Sequence, residues 1–215
     1  PLVKTAAQRE KLTSLLQQDV RRLDRLITDI SNASRLDAEL NRDRPRAIDL
    51  TQLLTEIVGV YESGLKPGEA RVVFEALSGD HVQIMGRDGP LGQVFRNLID
   101  NARSFSPSGG AVRVVVRVLR GVKGGDVVRA VVEDEGPGIP EENLETIFQR
   151  FYTQRPKGTA FGGNSGLGLS IAKQIVGAHH GRIYAQNIEG GGGTVGARLV
   201  VELPLASQVR PQART

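Results

Sequence analysis

The amino-acid sequence predicts an α+β fold, in which one long helix precedes a two-layer α/β sandwich. Through residues 1–45 apolar positions recur every three or four residues. No glycine or proline occurs between Leu2 and Arg44, which is typical of a single amphipathic helix. From Ala47 onward amphipathic helical segments alternate with short β-branched runs, which indicates a separate domain with a sheet. With 215 residues, 39% of them hydrophobic, the chain can bury one domain core and still carry the helix.

The leading helix has an apolar stripe but no partner within its own segment. The stripe consists of Leu12, Leu15, Leu16, Val20, Leu23, Leu26, Ile27, Ile30, Ala33 and Leu36. Such a helix either packs on its own domain or forms half of a dimeric helical bundle. The length of the stripe and the polar linker that follows it, Asn41–Arg46, favour the bundle. We therefore expect a helical region at 1–46, a mixed domain at 47–206 and a disordered tail at 207–215.

Within the mixed domain the patterns predict three helices and six strands. Asp49 or Thr51 caps the first helix, and the second follows Asp88. The third helix runs over 165–178, after an irregular stretch at 136–164 that is too long for a simple connector and indicates a functional lid. The predicted strands cover 71–77, 81–85, 111–119, 126–133, 182–187 and 194–203.

Composition excludes several classes of site. The chain has no cysteine, so it forms neither disulfides nor thiolate metal sites, and its three histidines lack the spacing of a zinc site. The longest apolar runs, such as Val112–Leu119, are too short to span a membrane. The net charge of +4 is interspersed with acids and only 4% of residues are aromatic, which argues against a nucleic-acid partner. Because the sequence starts at Pro1 and not at Met, we expect it to be a piece of a longer protein.

Two asparagines lie four residues apart in the second predicted helix. Asn97 and Asn101 would project from one face, while Leu98, Ile99 and Ala102 line the other. Asparagine is unfavourable inside a helix because its amide competes for backbone hydrogen bonds. The pair could be two exposed amides. The alternative is that a carboxamide oxygen binds a hard cation such as Mg²⁺, which prefers oxygen ligands and keeps waters and phosphate oxygens as the others.

Two glycine-rich segments flank the predicted lid. Asp134 ends a buried-looking strand and runs into Gly136-Pro137-Gly138. Here a flat ring could approach the backbone and an exocyclic amine could donate to the carboxylate, although an Asp-Gly turn is the alternative. Gly166-Leu167-Gly168-Leu169 opens the third helix, so its free N–H groups and dipole can face phosphates. A dinucleotide fingerprint would follow a strand directly, and a P-loop would need Gly-Lys-Ser/Thr, so both are rejected.

These segments and Phe148-Gln149-Arg150-Phe151-Tyr152 stand in a fixed order, and over about Asp49–Pro204 the chain resembles the ATP-binding domain of sensor histidine kinases. That domain belongs to the wider superfamily of Hsp90, gyrase B and MutL. The resemblance implies a mixed sheet with three helices on one face, and it makes the segment 5–40 similar to the second helix of the dimerisation and phosphotransfer hairpin. The matching motifs are the N box Asn97–Pro107, the first glycine box Asp134–Ile139, the F box Phe148–Tyr152 and the second glycine box Gly162–Leu169.

The resemblance also implies roles for individual residues. Asn101 would coordinate Mg²⁺ with Asn97 beside the phosphates. These two are the catalytic candidates, since phosphoryl transfer mainly needs positioning and charge neutralisation. Asp134 would accept from the adenine amino group, with Thr194 supporting it through a water. The remaining expected ATP-binding residues are Arg103, Gly136, Gly138, Ile139, Phe148, Phe151, Arg155, Gly166, Leu167, Gly168 and Leu169.

Two positions depart from the family pattern, because Ser104 and Thr153 stand where the family often carries a basic residue. Arg103, Arg155 or Lys157 would then neutralise the phosphates. No histidine of the chain is flanked as the family's phosphoacceptor is, so that residue is expected upstream of this sequence.

The resemblance thus predicts the ATP-binding catalytic part of a two-component sensor histidine kinase that uses ATP and Mg²⁺. It implies a homodimer formed through the hairpin, a response regulator as partner, and a cytoplasmic location in a bacterial inner-membrane sensor attached through segments absent here. Two rivals stay open. One is an anti-sigma-type serine kinase on the same fold, and the other is a catalytically degenerate module for nucleotide binding or dimerisation.

Overall fold

The computed structural model describes residues 44–77, 81–121, 125–152 and 166–206, and nine helical residues between positions 9 and 31. These nine residues are all exposed, and they are Arg9, Glu10, Leu12, Thr13, Leu16, Gln17, Val20, Ile27 and Ser31. The rest of the predicted leading helix, the segment 162–165 and the tail at 207–215 lie outside the described residues. The division of the chain at residue 46 therefore stays a prediction.

The described part of the mixed domain contains three helices and seven strands. The helices are α1 Leu50–Ser63, α2 Asp88–Phe105 and α3 Gly168–Ala178. The strands are β1 Arg46–Asp49, β2 Arg71–Ala76, β3 Gln83–Gly86, β4 Ala111–Leu119, β5 Val127–Asp134, β6 Arg182–Gly190 and β7 Gly193–Pro204. Short 3₁₀ turns at Glu141–Asn143 and Thr146–Phe148 lie in the predicted lid. Among these described residues, no helix combines the length and the hydropathy needed to cross a bilayer.

The main sheet has five strands in the order β2-β4-β5-β7-β6. β2 is parallel to β4 and the other neighbours are antiparallel, so the sheet is mixed as predicted. The last described strand, β7, lies between β5 and β6. Because Ala197 pairs with Asp134 on one side and with Asn187 on the other, one rung brings together three strands near the predicted site.

One face of the main sheet carries the helices. Successive residues of a strand point to opposite faces, and the inward set, for example Val112, Val114 and Val116 of β4, is fully buried. This set forms one core with the apolar sides of all three helices. Each buried large aliphatic side chain contributes about 1.5–3 kcal/mol, so the core is the main stabilising term. The predicted two-layer α/β sandwich is confirmed.

A second, two-stranded sheet was not predicted. β1 pairs antiparallel with β3, and Arg46 lies opposite Gly86. The sequence pattern had assigned 41–46 to a linker, because four residues beside Pro45 are too few to establish a strand period. Asp49 at the end of β1 caps α1 as predicted, with its Oδ1 accepting from Gln52 N at 3.1 Å. The other predicted elements are present, with ends shifted by up to three residues.

Candidate functional site

Helix α2 presents both asparagines on one side. Leu98, Ile99 and Ala102 are fully buried, while Asn97 and Asn101 are half-buried on the opposite side, as their spacing predicted. Asn97 Nδ2 donates to the Gly168 carbonyl at 3.0 Å. This hydrogen bond joins the middle of α2 to the start of α3, so the two motifs predicted to meet phosphates are in direct contact.

The carboxamide of Asn101 is available for a ligand. Ser104 Oγ donates to the Asn101 backbone carbonyl at 2.8 Å, and among the described residues no hydrogen bond engages the Asn101 side chain. No group of three His, Cys, Asp or Glu side chains in the described chain could hold a metal ion by itself. The donor set therefore fits a cation that takes one or two oxygens from the protein and the rest from phosphates and water, which is the habit of Mg²⁺.

Asp134 is a buried carboxylate with one engaged and one open oxygen. Its Oδ1 accepts from the backbone N–H groups of Gly136 at 2.9 Å and Ala197 at 3.2 Å. Within the described residues no hydrogen bond reaches Oδ2. Burial raises the pKa of this carboxyl, and the two backbone hydrogen bonds oppose that rise. An N–H donor at Oδ2 would further stabilise the ionised form.

The backbone around Asp134 is packed too closely for side chains larger than hydrogen. A Cβ at Gly138, whose φ is +79°, would overlap Thr194 Cγ2. A Cβ at Gly196 would overlap the Asp134 carbonyl, and one at Gly136 would lie 2.8 Å from the Phe105 carbonyl at the end of α2. The glycines therefore allow β7 and α2 to pack closely around the end of β5, and the predicted approach of a flat ring to this backbone stays a prediction.

A residue that the sequence did not single out holds the first glycine box in place. Asn187 Oδ1 accepts from Ile139 N at 2.8 Å, and Asn187 Nδ2 donates to the Ile139 carbonyl at 2.7 Å. Thr194 Oγ1 donates to Glu189 Oε1 at 3.1 Å, and the role of Thr194 beside the base stays a prediction. A lone asparagine in a strand matches no motif, and the only signal would have been its register opposite Ala197.

The second glycine box forms the entry to α3. Phe151 N donates to the Gly166 carbonyl at 2.9 Å, and Gly166 has φ +73° with the Phe151 backbone beside it. Leu167 is buried and Leu169 packs against the core. The first N–H groups of α3 have no partner within the helix, so they can donate to an anion at this terminus.

The two phenylalanines of the F box differ. Phe148 is buried, and Lys173 Nζ of α3 lies 5.8 Å from its ring centroid. The Phe151 ring, in contrast, is 61% exposed, and its residue has φ +64°. An i, i+3 spacing of aromatic residues is by itself typical of core packing, which Phe148 shows and Phe151 does not. Its left-handed backbone turns the side chain outward, and its backbone N–H bonds the Gly166 carbonyl just before α3.

Arg103 does not face the phosphate end, contrary to the prediction. Its Nε donates to the Ala70 carbonyl at 3.1 Å, one Nη lies 2.6 Å from Glu69 Oε2, and the guanidinium stacks 5.3 Å from the Tyr61 ring centroid. Positions i and i+2 lie on roughly opposite sides of a helix, so Arg103 and Asn101 diverge. The other predicted cations, Arg155 and Lys157, and the departure at Thr153 lie outside the described residues.

Known proteins are similar to this chain in sequence and in fold. The family described as histidine kinase-, DNA gyrase B-, and HSP90-like ATPase matches residues 86–207. The sensor protein ChvG of Rhizobium meliloti is 44% identical over 212 residues, which are 95% of this chain and 36% of that protein. The chain thus spans about a third of the length of the curated relatives it matches.

Solved structures agree with the sequence relatives. The mycobacterial sensor histidine kinase MprB is 27% identical, with a TM-score of 0.61 over 75% of this chain and 98% of that one. Full-length ShkA in complex with AMPPNP is 26% identical, with a TM-score of 0.67 over 95% of this chain and 40% of that one. Since the family model covers more than half of the sequence, the chain belongs to the histidine kinase-, DNA gyrase B- and HSP90-like ATPases, and within them it is the ATP-binding catalytic domain of a two-component sensor histidine kinase.

Proposed function

We propose that the domain binds Mg-ATP along α2 and presents the γ-phosphate to a histidine in a part of the protein outside this sequence. The observation that carries the proposal is that α2 contacts both glycine boxes, one at its middle and the other at its C-terminal end. Asn97 of α2 bonds Gly168 at the start of α3, and Gly136 lies against Phe105 at the end of α2. We infer from these two contacts that a carboxylate, two carboxamides and a helix N-terminus line one nucleotide site.

The base would bind at the Asp134 side of this region. Oδ1 of Asp134 is engaged by two backbone N–H groups, which leaves Oδ2 to accept from the adenine amino group. The carboxylate cannot rotate without breaking those two hydrogen bonds, so its orientation is fixed before a ligand arrives. An amino group is a donor where guanine has a carbonyl acceptor, and we therefore expect ATP to be preferred over GTP.

The phosphates would bind between α2 and α3. Backbone N–H groups at the start of α3 donate to phosphate oxygens and are reinforced by the helix dipole. Asn101 would hold Mg²⁺ through its carboxamide oxygen. The Nδ2 of Asn97 is bonded to Gly168, and its Oδ1 would face the same metal and phosphates. When bound, Mg²⁺ neutralises charge on the transferring phosphoryl group. The chain itself positions the nucleotide.

The leading helix would pair with a second copy of the protein. Leu12, Leu16, Val20 and Ile27 are helical, share one stripe by their spacing, and are 44%, 55%, 56% and 63% exposed. Such a stripe is stabilised by burial against another helix, which supports the homodimeric hairpin. We further propose that a response regulator receives the phosphoryl group, and that segments outside this sequence attach the protein to the inner membrane, with this domain in the cytoplasm.

Calorimetric titration with ADP, with and without Mg²⁺, tests the site. We expect Mg²⁺ to tighten binding in the wild-type chain and to have no effect in Asn101→Ala, since the amide ligand is gone. Arg96→Ala is the matched control, because Arg96 is exposed on α2, and it should retain the response to Mg²⁺. Absence of binding at millimolar ADP would contradict the proposal and favour the degenerate module.

Incubation with γ-labelled ATP tests the location of the phosphoacceptor. We expect no label on this chain alone, because none of its histidines is flanked as a phosphoacceptor. Stoichiometric acid-labile label would place the acceptor within the chain, and an acid-stable phosphoserine would support the serine-kinase rival.

A further inference from the structure

His179 is a buried histidine that the nucleotide site does not use. It caps the end of α3, and only 6% of its surface is exposed. Its ring lies against β3, where a Cβ on Gly86 would approach His179 Cδ2 to 2.9 Å. A polar ring in such a place needs partners for both nitrogens.

Both ring nitrogens have a partner, and together the partners define the tautomer. His179 Nδ1 lies 2.8 Å from the Ile175 carbonyl, which can only accept, so Nδ1 carries the hydrogen. The backbone N–H of Arg87, which can only donate, points to Nε2 at 3.1 Å. The ring is therefore the neutral Nδ1–H form, and a proton at Nε2 would break the contact with Arg87.

This contact joins the far ends of the two helices that carry the site. Arg87 is the residue before α2, and His179 follows the end of α3. At the other end of α3, Gly168 accepts a hydrogen bond from Asn97 in the middle of α2. At the usual rise along a helix, the two contacts lie about 15 Å apart on each helix. The helices are thus antiparallel, and one polar contact holds the start of α2 to the end of α3 while the other holds the middle of α2 to the start of α3.

We propose that His179 is a positioning residue that fixes how far α3 can slide along α2, and thereby the spacing between the α2 asparagines and the α3 N-terminus. The inference rests on the nucleotide site proposed above. A shift of one ångström at that site separates ligands that must meet the same phosphates. His179 is thus connected to the site along α2 through its contact with Arg87, and along α3 through its contact with Ile175.

The charges around the ring favour its neutral form. Burial lowers the pKa of His179 most strongly, and the charges of Arg87 and His180 lower it further, while the hydrogen bond to Ile175 raises it. Gly86 of β3 and Leu91 of α2 add no charge, and Asp88 is paired with Arg46 at 2.5 Å. Because the folded pKa lies below the unfolded value of about 6.5, the contact's contribution to stability is complete above that pH and declines below it.

Two substitutions of His179 separate positioning from space filling. Phe at this position keeps a planar ring but cannot accept from Arg87 N, and we expect His179→Phe to bind Mg-ADP roughly tenfold more weakly at pH 7.5. Gln supplies an Oε1 acceptor that does not titrate, so His179→Gln should recover most of the affinity. His180→Asn is the control, because His180 is exposed with φ +58°, which asparagine tolerates.

The pH profile supplies the second readout. From pH 7.5 to 5.5 we expect Mg-ADP affinity to fall further in the wild type than in His179→Gln, with His180→Asn following the wild type. Protonation of ADP is common to all three and cancels in the ratio. Nitrogen NMR of the wild-type imidazole should show Nε2 unprotonated at pH 7.5.

The proposal is overturned if folded His179→Phe binds ADP as tightly as the wild type, if the Gln variant keeps the same pH profile, or if Nε2 carries the hydrogen. Loss of ADP binding by the wild-type chain would instead refute the nucleotide site itself.

Discussion

The two ends of the proposed nucleotide site are built differently. At the base end the functional groups are fixed by the protein, since Asp134 is held by Gly136 and Ala197 and the adjacent Ile139 by Asn187. At the phosphate end, Asn101 carries no side-chain hydrogen bond within the described residues, and Arg103 is committed elsewhere. For the proposed site, the difference predicts that base selection is preorganised, whereas phosphate binding depends on ligands that the nucleotide and its metal would bring with them.

The largest effect is expected from Asp134→Asn, which tests the base end. The amide would present Nδ2 to the adenine amino group, so donor would meet donor, and ADP affinity should fall about 10- to 100-fold. Fold stability should not fall. Because burial raises the folded pKa of Asp134, ionisation of this carboxyl destabilises the folded domain as pH rises above the unfolded pKa. At pH 7 the neutral amide of asparagine would not carry this buried charge. Calorimetry and thermal melts at pH 7 measure both quantities.

Glu133→Gln is the control for this substitution. Glu133 is the preceding residue of β5 and pairs with Arg198 at 3.3 Å, away from the base. Its loss should leave ADP affinity unchanged. If Asp134→Asn unfolds the domain, or binds ADP normally, the separation of binding from stability at the base end is wrong.

A smaller effect is expected from Asn187→Ala, which removes both hydrogen bonds to Ile139. The first glycine box would gain freedom, so part of the binding energy would be spent on ordering it, and ADP affinity should fall roughly three- to tenfold. Discrimination of ATP against GTP should also decrease, which competition titration measures. Gln186→Ala, exposed on the neighbouring position of β6, should change neither. An equal loss in both variants would mean that the effect is general to the strand.

The smallest effect on binding is expected from Arg103→Ala, which tests whether this side chain takes any part at the phosphate end. The substitution removes the ion pair with the exposed Glu69 and the stacking on Tyr61, so stability should fall slightly. Affinity for ADP should stay within about twofold, because the guanidinium binds Glu69 and Ala70 and not phosphates. Arg96→Ala provides a comparison on the same helix. A tenfold loss of affinity in Arg103→Ala alone would restore Arg103 to the phosphate site.

The sequence predicted the helices, the main strands and the sandwich because long periodic segments carry strong signals, as in α2 and β4. It missed β1, which is too short for a period to show beside Pro45. It misplaced Arg103 because closeness in the chain was given more weight than helical geometry. It could not show that the Phe151 ring is exposed, because a left-handed backbone leaves no trace in the spacing of residues. Asn187 could not be found, since its function arises only when β6 and β7 pair.

The position of β7 between β5 and β6 has a consequence for the order of folding. At the base end, Ala197 and Gly196 of β7 pack against Asp134 of β5. Because β5 is synthesised before β7, Asp134 reaches its final arrangement only after β7 has been synthesised and has paired. During synthesis, a chain that ends before residue 193 would hold β6 without its neighbour and could not bind nucleotide. Pairings at such sequence separation are slow to form. Nucleotide can therefore stabilise the folded domain by mass action, but we expect no binding before β7 has paired, and so no assistance to that pairing step.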